Sequence, residues 1–329
     1  MTDGFLNLNK PRGLTSHDVV DRVRRLTGVR RVGHAGTLDP LATGVLLVCV
    51  GRATRVSEYL MTGQKVYHAR LRLGVATDTY DAEGQVVAEA EVEVSRAQVE
   101  AALAQFRGRI TQVPPVYSAL KHKGTPLHRL ARRGVDVERI SFLKARQVDV
   151  FRLELTGWGP PECTLEVTCS PGTYVRALAH DLGQALGCGG HLTGLTRLAS
   201  GDFRLDAAIT LEEFAQASAE GRWPDLLYPI DAALTRFPAL YLDTEAARRL
   251  CAGQAVEVGE TSPSPVEACG GVRVEVDERN EAAGLVRAYG PDRTFLALVA
   301  YDPATRRWRP RKVFHTWRPE PVEGPEGFF

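Results

Sequence analysis

Gly33-His34-Ala35-Gly36-Thr37-Leu38-Asp39-Pro40-Leu41-Ala42-Thr43-Gly44 decides the reading of this 329-residue chain. Its glycines free the backbone for turns that bulkier residues resist, and they bring one carboxylate, Asp39, near one imidazole, His34. A carboxylate on a glycine-rich loop reaches a substrate that bulky neighbours would block. Asp-Pro also opens helices, with Asp as the N-cap and Pro at the first helical position. Spacing alone leaves both readings open.

Working outward, residues 5–8 form a short predicted strand ended by Lys10-Pro11-Arg12-Gly13. Thr15 with Asp18 makes a capping box, and Val19, Val20, Val23 and Leu26 mark the buried stripe of a helix that Gly28 closes. Downstream lies the aliphatic strand 45–50. Next, Tyr67, Ala69, Leu71, Leu73 and Val75 alternate with His68, Arg70 and Arg72, the pattern of a strand with one buried and one wet, basic face. A polar turn over 77–84 ends it. A second helix starts at the N-cap Ser95 and buries Val99, Ala102, Leu103 and Phe106. Residues 164–169 make a strand that runs through Ser170-Pro171-Gly172 into a helix over about 173–186, so its first turn lies at a strand's carboxyl end, where sites collect. Thr210 with Glu213 caps a further helix. From about Phe237 short strands separated by turns predict a small β domain.

Composition narrows the function. Hydrophobic residues make up 44% and charged residues 25%, an ordinary globular balance with material for a sizeable core. Lys plus Arg number 41 against 40 acids, so no global field draws the chain to a polyanion. The charge is nevertheless segregated. Residues 118–147 hold eight Lys/Arg and two acids, and residues 10–55 hold nine Lys/Arg and three acids. Residues 250–285 reverse this, with seven acids against Arg273 and Arg279. Such segregation is what a polyanion-binding face requires. Only six of the 41 cations are Lys, so arginine richness by itself carries little weight. The six cysteines form no C-x-x-C pair and no zinc spacing, which fits a reducing cytoplasm and no metal site. The N-terminus has no apolar signal-like run, and the stretch 45–50 is too short to span a bilayer, so neither secretion nor membrane insertion is expected. Dinucleotide, P-loop, nucleophile-elbow and zincin motifs are absent.

Several motifs together carry a resemblance. Asn9-Lys10-Pro11, the stretch 33–44, Tyr67 in its basic strand, Asp78-Thr79-Tyr80-Asp81-Ala82-Glu83-Gly84, Tyr117-Ser118-Ala119-Leu120-Lys121 and Gly172-Thr173-Tyr174-Val175-Arg176 resemble, in order and spacing, the TruB family of bacterial tRNA pseudouridine-55 synthases. The resemblance covers nearly the whole chain. It implies an α/β (α+β) pseudouridine-synthase-type catalytic domain over 1–236 with a mixed, largely antiparallel sheet and a thumb-like basic insertion at about 117–146. A small C-terminal β domain, PUA-like and RNA-binding, is implied over 237–329; there Arg306, Arg307, Arg309, Arg311 and Lys312 form the dense basic cluster.

The activity implied is isomerisation of uridine 55 in the T loop of tRNA, with no cofactor and no metal. The partner is the T arm, and the expected form is a cytoplasmic monomer. Asp39 aligns with the family's catalytic aspartate, which attacks C1′ of the ribose or C6 of the base. Tyr67 aligns with the tyrosine that stacks on the target base, and Arg176 with the arginine paired to the aspartate. Asp81, Tyr174 and Leu195 match substrate-pocket positions, and His34 the histidine that fills the space left by the flipped nucleotide. Lys10, Arg55, Lys121 and Arg132 are expected on the RNA backbone.

Physical chemistry makes these roles coherent. A base within a folded loop must be flipped out to react, at a cost of roughly a few kcal/mol. Stacking on an aromatic ring returns about 1–3 kcal/mol. A carboxylate shielded from water needs a paired guanidinium to stay ionised. An apolar wall limits hydrolytic escape of the detached base. A non-catalytic tRNA-binding protein, or a synthase acting on another RNA, would share the basic faces and differ at Asp39 or in substrate.

Overall fold

The computed structural model describes residues 2–118, 145–257 and 284–315, together with positions 121, 122, 124–127, 130 and 140. Most of the basic insertion, including Arg132, and the acidic stretch 258–283 lie outside the described residues; Lys121 is described in its backbone alone. Contacts divide the chain into two compact units, one through Tyr228 and one from Pro229.

In the first unit the strands are β1 (Gly4–Lys10), β2 (Val32–Ala35), β3 (Ala42–Val50), β4 (Lys65–Leu73), β5 (Val75–Thr77), β6 (Val86–Glu89) and β7 (Gly108–Gln112). They continue with the two-residue β8 (Lys121–His122) and β9 (Thr125–Pro126), then β10 (Arg146–Gly159), β11 (Glu162–Cys169), β12 (Gly190–Ser200), β13 (Phe203–Arg204) and β14 (Ile209–Thr210). A ten-stranded sheet runs in the order β14-β1-β3-β12-β4-β11-β10-β7, with β2 added to β3 and β13 to β12. Only β1 with β14 and β3 with β12 pair in parallel, so the sheet is mixed and largely antiparallel.

Local chemistry explains the elements. The Thr15–Asp18 capping box opens the helix Ser16–Thr27, Val19, Val20 and Val23 are buried on it, and Gly28 ends it in the left-handed conformation at φ 70°. In β4, Lys65, Tyr67, Ala69, Leu71 and Leu73 face inward, while Arg70 and Arg72 are exposed. Strand β11 then turns at Pro171-Gly172 into the helix Val175–Ala185, which packs along β12.

The structure revises three expectations. The stretch 33–44 is not all loop: its first residues form β2 against β3 and its last open β3, leaving an irregular turn over 36–41. No helix follows Asp39, so the N-cap reading falls. In the second unit, β15 (Ala239–Tyr241), β16 (Leu285–Tyr289), β17 (Phe295–Asp302) and β18 (Arg307–Val313) make the small sheet, and a helix, Thr244–Cys251, accompanies them. Asp243 caps that helix, accepting from Ala246 N at 2.8 Å, and Ala247 and Leu250 are buried on it. Within this unit Tyr289 Oη also donates to Asp231 at 2.9 Å.

Where β3 meets β12, Gly44 has φ 99°, and a Cβ there would lie 2.3 Å from Arg197 O and 2.8 Å from Arg197 N. Backbone cannot yield as a side-chain tip does. Gly44→Ala is expected to destabilise the chain by about 3 kcal/mol or more, combining left-handed strain with overpacking, as measured by equilibrium urea unfolding.

Candidate active site

Every backbone carbonyl from Gly36 to Pro40 has a partner, which holds the turn carrying Asp39. Arg197 donates from Nη2 to Gly36 O at 3.2 Å and from Nη1 to Thr37 O at 3.4 Å. The Ser16 hydroxyl donates to Leu38 O at 3.0 Å and accepts from Leu38 N at 2.8 Å. Ala42 N donates to Asp39 O at 3.0 Å, and Gly13 N to Pro40 O at 2.8 Å. Lys10 Nζ reaches Pro40 O at 3.4 Å, Leu14 O at 2.6 Å and Pro11 O at 2.9 Å.

Lys10 therefore does not take the role expected of it. It is fully buried with its ammonium spent on carbonyls, so it braces the loop from within and meets no phosphate. Burial pushes its pKa down to about 8.

Two carboxylates converge on one guanidinium. Arg176, in the first turn of its helix, places Nε 2.9 Å from Asp39 Oδ2 as an ion pair without an aligned hydrogen bond. Its Nη1 lies 3.3 Å from Asp81 Oδ2 and donates to Thr79 O at 3.0 Å, while Nη2 donates to Tyr117 O at 3.1 Å. The side chains of Arg176 and Asp81 are each 6% exposed, whereas that of Asp39 is 39% exposed. This asymmetry separates the acids. Asp81 is enclosed, accepting from Thr79 Oγ1 at 2.6 Å and Glu83 N at 3.0 Å, and Asp39 is the one open to a ligand.

Asp39 borders a cavity of about 260 Å³ that Tyr67, Tyr174, Arg176 and Leu195 also line. That volume is small for a drug-sized ligand and suits a single flat ring. Burial pushes the Tyr67 phenol above its usual range, with the neighbouring Arg197 charge working against the shift, so the ring at the cavity is a neutral phenol. Tyr174 is anchored by a two-way bond to Gln112, N to Oε1 at 2.7 Å and O from Nε2 at 3.0 Å. The structure thus gathers Asp39, Tyr67, Arg176, Tyr174 and Leu195 at one cavity and sets Asp81 behind Arg176. His34 is not on its wall: it lies in β2 opposite Val48, partly buried, with Nδ1 making no hydrogen bond among the described residues. Arg55 sits half-buried in the turn Gly51–Val56, also away from the cavity.

Three cations on the cavity wall were missing from the sequence reading. Arg197 is 2% exposed, donates from Nε to Val45 O at 2.6 Å and pairs across strands with Tyr67. Lys65 shares the buried face of β4 with Tyr67 and donates to Ser200 Oγ at 2.7 Å and Leu60 O at 3.3 Å. The alternation already visible at 67–75 extends back to 65 and was the available signal. Arg146 stacks its guanidinium 4.9 Å from the centre of the Tyr174 ring and donates to Gly172 O at 2.5 Å. Among the described residues no carboxylate pairs with it, so its charge stands open at the cavity. Also among the described residues, no group of three or more His, Cys, Asp or Glu is placed to hold a metal ion, and no helix is long and apolar enough to cross a membrane.

Fold and site together define a pseudouridine-synthase-type catalytic domain. A chain in the crystal structure of a Cbf5-Nop10-Gar1 complex has the same fold, with TM-score 0.68 at 23% identity over 96% of this chain and 86% of that one. A chain in an H/ACA RNP bound to a substrate RNA containing 2′-deoxyuridine agrees at TM-score 0.65 and 22% identity, over 95% and 85%. Residues 24–175 match the TruB family pseudouridylate synthase N-terminal domain, and residues 176–235 the tRNA pseudouridylate synthase B C-terminal domain. A tRNA pseudouridine synthase B of Burkholderia lata is 45% identical over 289 residues, 87% of each chain. Another, of Syntrophotalea carbinolica, is 50% identical over 249 residues, 75% of this chain and 80% of that one. The chain belongs to the TruB family of pseudouridylate synthases.

Burial also lowers the Lys65 pKa to about 8, with Arg197 adding to the shift. The sign follows directly: below about pH 8 folded and unfolded chains both hold the proton and the burial cost is full, whereas between about 8 and 10.5 only the unfolded chain keeps it. The Lys65 contribution to stability therefore rises with pH across that window, while buried Cys49, Cys163 and Cys169, whose thiols burial pushes up, work the other way above about pH 9. Lys65→Met is expected to remove roughly 3 kcal/mol of that rise, read as the difference in urea unfolding free energy between pH 8 and pH 10.5.

Proposed function

We propose that this chain isomerises uridine 55 in the T loop of tRNA to pseudouridine, with Asp39 as the reacting carboxylate. The observation that carries the assignment is the ion pair of a half-open Asp39 with a buried Arg176 at the mouth of a one-ring cavity. The target base leaves the loop and lies against Tyr67 with Leu195 as an apolar wall. Asp39 attacks, the N1–C1′ bond breaks, the detached uracil turns, and C5 joins C1′. The proton from C5 is lost to a base or water, and N1 gains one, so atoms and electrons balance with no other reactant.

Arg176 sets a buried guanidinium beside the attacking carboxylate as its counter-charge. Arg146, open at the rim, takes a phosphate of the nucleotide being turned in. The basic insertion, with Lys121 and Arg132, and the C-terminal PUA-like unit add backbone contacts along the T arm. The chain acts as a cytoplasmic monomer on free tRNA.

A tRNA transcript tritiated at uridine C5 tests the reaction, because C5 must lose its hydrogen on becoming the glycosidic carbon. The wild type is expected to release one tritium per tRNA, and none when residue 55 is cytidine. Asp39→Asn should abolish release while holding tRNA affinity within a fewfold; equal release by both proteins would remove Asp39 from the chemistry. For the rim, Arg146→Ala should flatten the slope of log affinity against log salt by about 0.7–0.9, the share of one phosphate contact. An unchanged slope would take Arg146 off the RNA.

A further inference from the structure

Tyr80 lies between the two groups that the 77–84 turn offers to Arg176 Nη1: Thr79 O at 3.0 Å and Asp81 Oδ2 at 3.3 Å. Its backbone is left-handed, at φ 64°, a conformation that a bulky aromatic residue holds only where its surroundings enforce it. On one side the enforcement comes from β12, where Leu192 N donates to Tyr80 O at 3.0 Å and Ala82 N donates to Leu192 O at 2.9 Å. On the other side the Tyr80 ring lies flat on the His180 ring, with centroids 3.9 Å apart and planes 14° from parallel.

His180 stands four residues beyond Arg176 in the helix Val175–Ala185, so the two share a face. The contacts close a circuit: helix, Arg176, the Thr79 and Asp81 oxygens, Tyr80, His180, and the same helix one turn on. His180 Nδ1 is buried and makes no hydrogen bond among the described residues, so ring contact is the interaction seen to place this side chain. Neither ring lines the cavity.

We propose that the Tyr80–His180 stack is a positioning contact for the isomerisation: it sets the register of the 77–84 turn against the helix and so aims Arg176 at Asp39. The assignment rests on Asp39 being the reacting carboxylate. Since the stack touches no ligand, its loss acts on turnover and leaves binding alone. The shape of the pair matters, and on the His180 side the imidazole nitrogens do not.

Steady-state tritium release separates these roles. His180→Ala and Tyr80→Ala should each lower kcat by roughly 10- to 100-fold, since small misplacements of reacting groups cost on that scale. KM should stay within about twofold, and the double variant should be no slower than the worse single one. His180→Phe, which keeps two facing rings, should stay within about threefold of wild-type kcat. Wild-type kcat in His180→Ala overturns the proposal, as does a change confined to KM, or a His180→Phe that folds and is as slow as His180→Ala. If the alanine variants do not fold, His180→Phe decides alone, and a folded His180→Phe slowed tenfold or more sinks the stack. Failure of the underlying reading shows differently, as a wild type that releases no tritium, and the proposal then falls with it.

Discussion

Arg176 cannot give up its proton, and the fold has taken it almost out of water. A lone guanidinium in that position would cost several kcal/mol, so the chain must bring negative charge to it. It brings two carboxylates, from segments about forty residues apart in sequence, plus two backbone carbonyls. One cation against two anions leaves the trio with a surplus negative charge. Asp81 is enclosed and hydrogen-bonded, so the open surplus is at Asp39, on the cavity. The bonding of every carbonyl from Gly36 to Pro40 follows from the same demand: the turn must hold an anion at a fixed place.

The basic residues around the cavity divide by what their donors meet. Lys10, Lys65 and Arg197 spend theirs on carbonyls or a serine hydroxyl and serve as internal struts for loops and strands. Arg176 is matched by acids. Arg146 alone on the wall has an aromatic ring and a carbonyl but no matched acid among the described residues, which leaves it for an anion from outside. In an arginine-rich chain, composition says little about RNA, whereas the partner of each guanidinium says a good deal.

Much of this was legible in the sequence where a local rule governs. The Thr15–Asp18 box, the Gly28 stop and the alternation in β4 follow from capping, left-handed backbone and side-chain period, and each is where those rules put it. The juxtaposition of Asp39, Tyr67 and Arg176 was legible only through motif resemblance, since no local rule joins positions so far apart. Lys10 misled because a cation near a basic face suggests a phosphate contact, and only the fold shows three carbonyls waiting inside. Arg197 was invisible because an arginine in a strand suggests a solvent-facing position. The helix Thr244–Cys251 hid among strands, although Asp243 supplied a fair cap signal.

If one buried guanidinium is the shared counter-charge, removing it should strand Asp81, and removing Asp81 as well should relieve the strain. Equilibrium urea unfolding of Arg176→Gln, with and without Asp81→Asn, measures this. The single variant should lose about 3 kcal/mol or more, the cost of an unpaired buried charge. The double variant should regain most of that stability and still release no tritium from tRNA, because Asp39 has lost its partner. A double variant less stable than Arg176→Gln, or one that turns over, would contradict the shared pairing on which the site has been built.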